Sequence, residues 1–189
     1  MAKQEKQAKS NAIKILFPAL SLFVICLLAA AALAVVNNVT KAKIEENKHL
    51  AADLAREEIF PAAVFTEKEN GLYYEAHESG GALLGYVMEC TAQGYGGEVK
   101  LAVGVHADGR VARVRLLAAD GETPGLGQNI GNADWLAKLV GKSGSLVLNK
   151  DGGDVDAVVS ATYSSRAAVA AVNEALAIYQ KIQEGGAAS

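Results

Sequence analysis

The sequence is poor in the residues from which disulfide frameworks and metal centres are built. It has 189 residues, of which two are cysteine and three are histidine. Cys26 lies in an apolar N-terminal segment and Cys90 lies far beyond it, so we expect no structural disulfide. There is no CxxC motif, and a Cys/His metal site or a Cys-ligated iron–sulfur cluster therefore lacks its ligands.

The sequence also lacks a surplus of positive charge. Its formal net charge is -3, with charged residues making up 21% of the chain. This balance gives no electrostatic reason to expect a nucleic-acid partner. Hydrophobic residues make up 51% of the chain and are concentrated near the N-terminus. The length fits one domain with accessory segments.

The longest apolar run covers residues 15–36 and predicts a single transmembrane helix in a lipid bilayer. At about 1.5 Å per residue it can cross a hydrocarbon core of about 30 Å. A cleaved signal peptide is the main alternative, because residues 29–32 resemble a cleavage site, although signal cores are usually about 7–15 residues long. A type IV pilin helix is a weaker alternative, since no pilin processing motif is present.

The charges that flank this run predict its orientation. Four lysines precede it, and the lysines that follow it are diluted by acidic residues. The positive-inside tendency places residues 1–14 in the cytoplasm. We therefore expect a single-pass protein of the inner (cytoplasmic) membrane whose main domain lies on the outer, periplasmic or extracellular, side.

The rest of the chain predicts a stalk followed by an α+β domain. Residues 37–70 form a helical stalk and linker, with Pro61 ending the helix, and residues 71–184 form the domain. Residues 185–189 are expected to be a disordered tail. The predicted architecture is an antiparallel sheet packed with helices.

The strands and helices of the domain are predicted from periodicity and turn signals. Apolar residues alternate from Val99 to Val105, which indicates a half-buried strand, and a turn at Asp108–Gly109 leads into a return strand with Ala112, Val114 and Leu116 on one face. Asn132 caps a short helix that Gly141 closes. The other predicted elements are strands at 72–76, 82–91 and 145–150 and a last helix at 165–183.

Two segments carry residues that suggest chemistry. The loop Glu122–Gly127 has the sequence ETPGLG, in which glycines and a proline fix the backbone path and allow a flat ligand to approach. Taken alone, it also fits a structured loop. The segment Asp156–Ser165 concentrates small hydroxyl residues before the last helix, where Ser164 or Ser165 is a natural N-cap. A helix N-terminus favours an anion, and Thr162 lies two or three residues upstream, so the segment suggests a phosphate-bearing ligand.

Together these segments resemble two motifs of the FMN-binding domain family. Residues 122–127 resemble its ETPGLG loop, and residues 156–162 resemble its flavinylation motif, Asp-x-x-(Ser/Thr)-Gly-Ala-Thr. The family includes the G subunit of the Rnf electron-transport complex and the C subunit of the sodium-translocating NADH:quinone reductase. The resemblance covers essentially the whole chain, and the absence of an aromatic insertion after Gly97 favours the Rnf protein.

The chain departs from the family motif at one point. Val159–Ser160 stands where the family has Ser/Thr–Gly. Either Ser160 occupies the glycine position, where a positive φ is expected, or a one-residue gap aligns Ser160 with the family's Ser/Thr.

The resemblance implies the cofactor, the partners and the site. An FMN is covalently bound as a phosphodiester to Thr162 by a flavin transferase. The chain relays electrons within an ion-translocating ferredoxin:NAD oxidoreductase, beside other membrane and peripheral subunits and without independent catalysis. Glu122, Thr123, Gly125 and Leu126 lie along the isoalloxazine, and Lys150 supplies a compensating charge. The remaining implied site residues are Gly127, Ser160, Ala161, Tyr163 and Ser164.

Two other functions fit the same sequence. One is a membrane-tethered flavin sensor or adaptor outside any pump. The other is an exported interaction domain without flavin, in which both loops are structural.

Overall fold

The computed structural model describes residues 2–186 and divides the chain into two compact units, Met1–Asn47 and Lys48–Ser189. The first unit is the N-terminal part of helix α1, Ala2–Ile59. Helix α1 therefore begins well before the predicted span at residue 15, and Pro18 lies inside it. From Pro18 onward this helix is long and apolar enough to cross a membrane, judged by length and composition.

The second unit is built on a five-stranded antiparallel sheet. Its strands follow one another in chain order: β1 Val64–Lys68, β2 Tyr73–His77, β3 Leu83–Gln93, β4 Glu98–His106 and β5 Val111–Ala118. A turn at Asp108–Gly109 joins β4 to β5 as predicted, with Gly109 at φ +84°. Strand β1 was not predicted, because its edge position leaves most of its side chains exposed and removes the apolar alternation.

Apolar cores cover both faces of the sheet. Helix α3, Thr162–Gly186, packs on one face over residues such as Leu101 and Val103. On the other face Ala55, Ile59 and Phe60 pack against Ala102 and its neighbours. The sequence places these three residues in the stalk, yet they complete a core, and the second unit begins at Lys48 rather than at 71.

The second core corrects the prediction for β4 and β5. Residues 101–105 are all buried, so β4 is buried on both faces rather than on one. A Cβ on Gly104 would lie only 2.2 Å from the Ile59 side chain, which shows how closely α1 approaches. In β5 an irregularity between Val111 and Arg113 turns Ala112 toward this core, whereas Val114 and Leu116 face α3.

The strand predicted at 145–150 is wrong. Only Leu148 forms an isolated bridge, to Val155, and a 3-10 helix Asn149–Asp151 follows. The Asn173 side chain of α3 hydrogen-bonds both backbone polar groups of Leu146. It accepts from the N–H at 2.8 Å and donates to the C=O at 2.8 Å. These bonds satisfy the segment without a strand partner.

The helices differ from their predictions mainly at their ends. Helix α2, Ala133–Ala137, begins after Asn132, whose side chain accepts a hydrogen bond from Asp134 N at 2.9 Å as predicted for a cap. It stops before Gly141, which lies in a turn at φ +78°. Helix α3 begins three residues before the predicted Ser165 and continues through Gly186. The rest of the predicted tail, 187–189, lies outside the described residues.

Cys90 of β3 provides a test of the packing around α3. Its side chain is 2% exposed, and burial raises the pKa of its thiol to about 12. Because the thiolate is the reactive form, we expect less than about 10% alkylation of folded Cys26→Ser protein at about pH 8 and complete alkylation after denaturation. Mass spectrometry measures both values, and rapid labelling of the folded protein would contradict the packing.

Candidate cofactor site

A cleft of about 320 Å³ brings the two sequence motifs together. Its lining residues come from the loop before the short turns at 127–131, from the start of α3 and from the loop between β3 and β4. They are Tyr95, Glu122, Thr123, Leu126, Gly127, Ser160, Ala161, Thr162, Tyr163 and Ser164. All but Tyr95 were predicted. Of the other two predicted residues, Gly125 turns the loop at φ +75° without lining the cleft, and Lys150 approaches from outside.

Thr162 is the first residue of α3, not a residue upstream of it. The side chain of Ser165 links the preceding segment to the helix, accepting from Val158 N and donating to Ala161 O, both at 2.9 Å. Ser164 and Ser165 therefore lie within the first turn, and neither is the N-cap. The half-buried Thr162 hydroxyl lies where the first N–H groups of a helix have no intrahelical acceptor.

Lys150 contacts this hydroxyl directly. Its Nζ donates to Thr162 Oγ1 at 3.1 Å. The neighbouring Asp151 pairs with Arg166 through two bonds of 2.8 and 2.7 Å. These hydrogen bonds from Arg166 lower the pKa of Asp151, and the pair raises the pKa of Arg166. The positive charge of Lys150 also lowers the pKa of Asp151, while its Nζ makes the hydrogen bond to Thr162.

Glu122 joins three segments beneath the cleft. Its side chain is 2% exposed, with Ser164 Oγ donating to Oε2 and Gly96 N donating to Oε1 at 3.2 Å. Added Cβ atoms at Gly94 and Gly127 would lie 2.2 and 2.3 Å from its carboxylate oxygens. Glycine at these two positions therefore lets the backbone close around the carboxylate.

Residues 94–177 match the FMN-binding domain family, and this range contains all the residues that line the cleft. The G subunit of the Na⁺-translocating ferredoxin:NAD⁺ oxidoreductase complex of Acetobacterium woodii is 30% identical, with 87% of this chain and 91% of the relative covered. The G subunits of the ion-translocating oxidoreductase complexes of Methanosarcina acetivorans and Pseudomonas aeruginosa are each 32% identical, covering 87% and 88% of this chain and 94% and 89% of the relatives.

The chain belongs to the G-subunit family of ion-translocating oxidoreductase complexes. Among solved structures it is similar to NqrC of Shewanella oneidensis, at 21% identity and a TM-score of 0.46, over 59% of this chain and 64% of that one. The C subunit of the Na⁺-translocating NADH-quinone reductase of Parabacteroides distasonis gives 24% identity and a TM-score of 0.47, over 58% and 60% of the two chains.

The residues of this G-subunit family member fit an FMN at the cleft. A hydroxyl at the start of a helix and an ammonium group beside it suit a phosphate. The close backbone approach around Glu122 leaves a cleft of a volume typical of small-molecule sites.

The backbone at Ser160 has the conformation expected in the first of the two alignments, in which Ser160 stands at the family's glycine position. Its φ is +61°, in the left-handed region that favours glycine, and Ala161 and Thr162 follow in the family order. In that alignment Val159 stands at the family's Ser/Thr position, and 85% of its surface is exposed. Serine is therefore a less suitable residue than glycine for the backbone conformation at position 160.

We expect Ser160→Gly to stabilise the protein. A non-glycine residue in the left-handed region destabilises the folded state by about 1–2 kcal/mol. Glycine removes this strain, but it also makes the unfolded chain more flexible, which lowers the free energy of unfolding by about 0.4–1 kcal/mol. The expected gain in the free energy of unfolding is therefore about 0.5–1 kcal/mol, measured by urea denaturation. Ser143→Gly, at an exposed loop position without a positive φ, is the control and should give no gain, and a loss of stability in Ser160→Gly would contradict the backbone assignment.

Proposed function

We propose that the chain carries FMN through a phosphodiester bond to Thr162 and relays electrons as the G subunit of an ion-translocating ferredoxin:NAD⁺ oxidoreductase. The observation that supports this most directly is the Thr162 hydroxyl, which lies at the start of α3, in the wall of the cleft and 3.1 Å from Lys150 Nζ. The names and coverage of the relatives support the complex, and the FMN-binding domain match supports the cofactor.

The attachment reaction uses Thr162 as the nucleophile and FAD as the donor. The Thr162 oxygen forms a bond to the phosphorus of the FMN half, and the bond between that phosphorus and the bridging oxygen breaks. AMP leaves, and the hydroxyl proton passes to the solvent or to a base of the flavin transferase. Thr162 is only partly buried at the start of α3, so its hydroxyl is within reach of a second protein.

The surroundings of Thr162 suit the product as well as the nucleophile. The phosphodiester retains one negative charge on its non-bridging oxygens, and the Lys150 ammonium group lies beside Thr162 Oγ1, the oxygen that forms the ester bond to phosphorus. The N-terminus of α3 adds about 0.3–1 kcal/mol of favourable interaction with such a charge. Lys150 and the helix therefore hold the phosphate, while the cleft residues confine the flavin ring.

The bound flavin supplies reversible electron transfer, and the chain supplies its attachment and surroundings. A covalent bond keeps the flavin from being lost on the outer side of the membrane. We place helix α1 in the inner membrane as a single span, with the N-terminus in the cytoplasm and the FMN-binding domain on the outer side. The length and apolar composition of the helix from Pro18 support a span, and the lysines before it support the direction.

The covalent bond is tested on full-length protein co-expressed with a flavin transferase. We expect a band that fluoresces under ultraviolet light on a denaturing gel, and a flavin-bearing peptide that contains Thr162 by mass spectrometry. A dark band would overturn covalent attachment. Purification from native membranes is expected to recover other electron-transfer proteins of the complex, whereas recovery of the chain alone would favour a sensor or adaptor.

The membrane topology is tested separately. Protease added to intact spheroplasts is expected to digest the FMN-binding domain and leave a cytoplasmic marker protein intact. Protection of the domain until the membrane is permeabilised would reverse the proposed orientation.

A further inference from the structure

Tyr95 is an exposed aromatic residue on a fixed loop. Its side chain is 73% exposed, although Gly94 N donates to Gly97 O at 2.8 Å and Gly96 N donates to Glu122 at 3.2 Å. A Cβ on Gly96 would lie 1.9 Å from Gly121 O, so the loop lies directly against the neighbouring backbone. A large ring held in solvent by such a loop contributes little to the core, and its face is available to stack on a flat ligand.

Tyr163 approaches Tyr95 from the start of α3. Its side chain is 64% exposed, and the two ring centroids are 6.1 Å apart at an interplanar angle of 48°. The Arg166 guanidinium lies 5.5 Å from the centre of the Tyr163 ring and is itself held by Asp151. Both rings line the cleft that Thr162 also lines. The two tyrosines therefore form an aromatic wall that is fixed from both sides.

We infer that Tyr95 and Tyr163 bind the isoalloxazine ring of the flavin, with Tyr95 as a contact residue that lies outside both the ETPGLG loop and the segment 156–162. This inference rests on the proposed function. A flat heteroaromatic ring is recognised through stacking on aromatic faces, which adds to the burial of its surface. The apolar Leu126 side chain, 45% exposed, lines the same cleft and extends the surface available to the ring.

A ring contact with a tyrosine has an optical signature. An excited flavin accepts an electron from a neighbouring phenol, and the electron then returns, so no net oxidation occurs and the flavin fluorescence is quenched. A tyrosine that merely stabilises its own loop does not quench the flavin. The flavin fluorescence of the folded protein therefore reports the contact itself.

The first test compares folded and denatured holoprotein that carries covalent flavin. In the double variant Tyr95→Leu/Tyr163→Leu we expect the fluorescence of the folded protein to rise several-fold, while its denatured band on the gel keeps the brightness of wild type per covalent flavin; each single variant is expected to rise less, because the other phenol remains. Tyr95→Phe/Tyr163→Phe is expected to be brighter than wild type as well, because phenylalanine stacks without donating an electron. Leu72→Ala, outside the cleft, is the control and should match wild type. Unchanged folded-state fluorescence in both double variants would overturn the inference.

The second test uses free FMN and full-length Thr162→Ala protein, so that covalent attachment plays no part. Loss of one stacking contact in Tyr95→Leu is expected to weaken FMN binding about tenfold, whereas Tyr95→Phe stays close to the Thr162→Ala parent. Equal affinity in Tyr95→Leu and its parent would count against the contact. A dark wild-type gel band together with tight binding of free FMN would overturn the covalent bond and leave the tyrosine site standing.

Discussion

Replacing Thr162 with alanine is expected to reduce covalently bound flavin to background when full-length protein is co-expressed with a flavin transferase. Alanine removes the oxygen that forms the bond to phosphorus, and no neighbouring atom of the same residue can replace it. Thr162→Ser keeps a hydroxyl and is expected to retain part of the flavin. The measurement is flavin fluorescence per unit of protein on a denaturing gel.

The fold should survive this substitution, which makes the result interpretable. The Thr162 side chain is half-buried and its hydroxyl contacts the exposed Lys150, so its loss should cost about 1 kcal/mol or less. Thr91→Ala, at an exposed position of β3, is the matched control and should keep wild-type fluorescence. A fluorescent band in Thr162→Ala would move the bond to another hydroxyl of the cleft, such as that of Thr123 or Ser160.

The cleft could be predicted largely because its parts are local in sequence. The loop at 122–127 and the segment at 156–165 each fix their own backbone through glycine, proline and small hydroxyl residues. Their order along the chain placed one of them before α3, where a phosphate is favoured. The structure brings the two segments together, and only Gly125 and Lys150 among the predicted residues lie outside the lining.

Tyr95 was not assigned to the site from the sequence, because its place in the cleft depends on a contact between Gly96 and Glu122, which are 26 residues apart. For the same reason the burial of Glu122 was not foreseen. The sequence suggested a polar group along the flavin, whereas its carboxylate is engaged by Ser164 and Gly96. Local patterns indicate which residues share a segment, but they do not indicate which donor a buried carboxylate will meet.

The second core was missed for a related reason. Ala55 and Ile59 lie among charged residues that are typical of a solvated stalk, and β1 shows no clear alternation. Their burial depends on the face of β4 opposite α3, where small residues such as Ala102 and Gly104 let helix α1 pack closely. The alternation of larger residues along β4 predicted one buried face correctly. The other face carries small residues, which gave no apolar signal, so its burial was not predicted.

Replacing Glu122 with alanine is expected to lower the free energy of unfolding by about 3 kcal/mol and to reduce flavin incorporation with it. The substitution leaves the Ser164 hydroxyl and the Gly96 N–H without their acceptor, at about 1–3 kcal/mol for each buried group, and it opens a cavity. This is a large share of the roughly 5–15 kcal/mol that stabilises an ordinary domain. Urea denaturation followed by the fluorescence of Trp135, the sole and buried tryptophan, measures it.

Two further variants separate the hydrogen bonds of Glu122 from its bulk. Glu122→Gln keeps the shape and an acceptor for Gly96, and its amide can donate to Ser164 Oγ, so we expect a loss of only about 1 kcal/mol. Glu98→Ala, at an exposed position of β4, should change stability by less than about 0.5 kcal/mol. If Glu122→Ala costs no more than Glu98→Ala, the carboxylate does not hold the three segments together. If Glu122→Gln costs as much as Glu122→Ala, the negative charge, rather than the pair of hydrogen bonds, stabilises the base of the cleft.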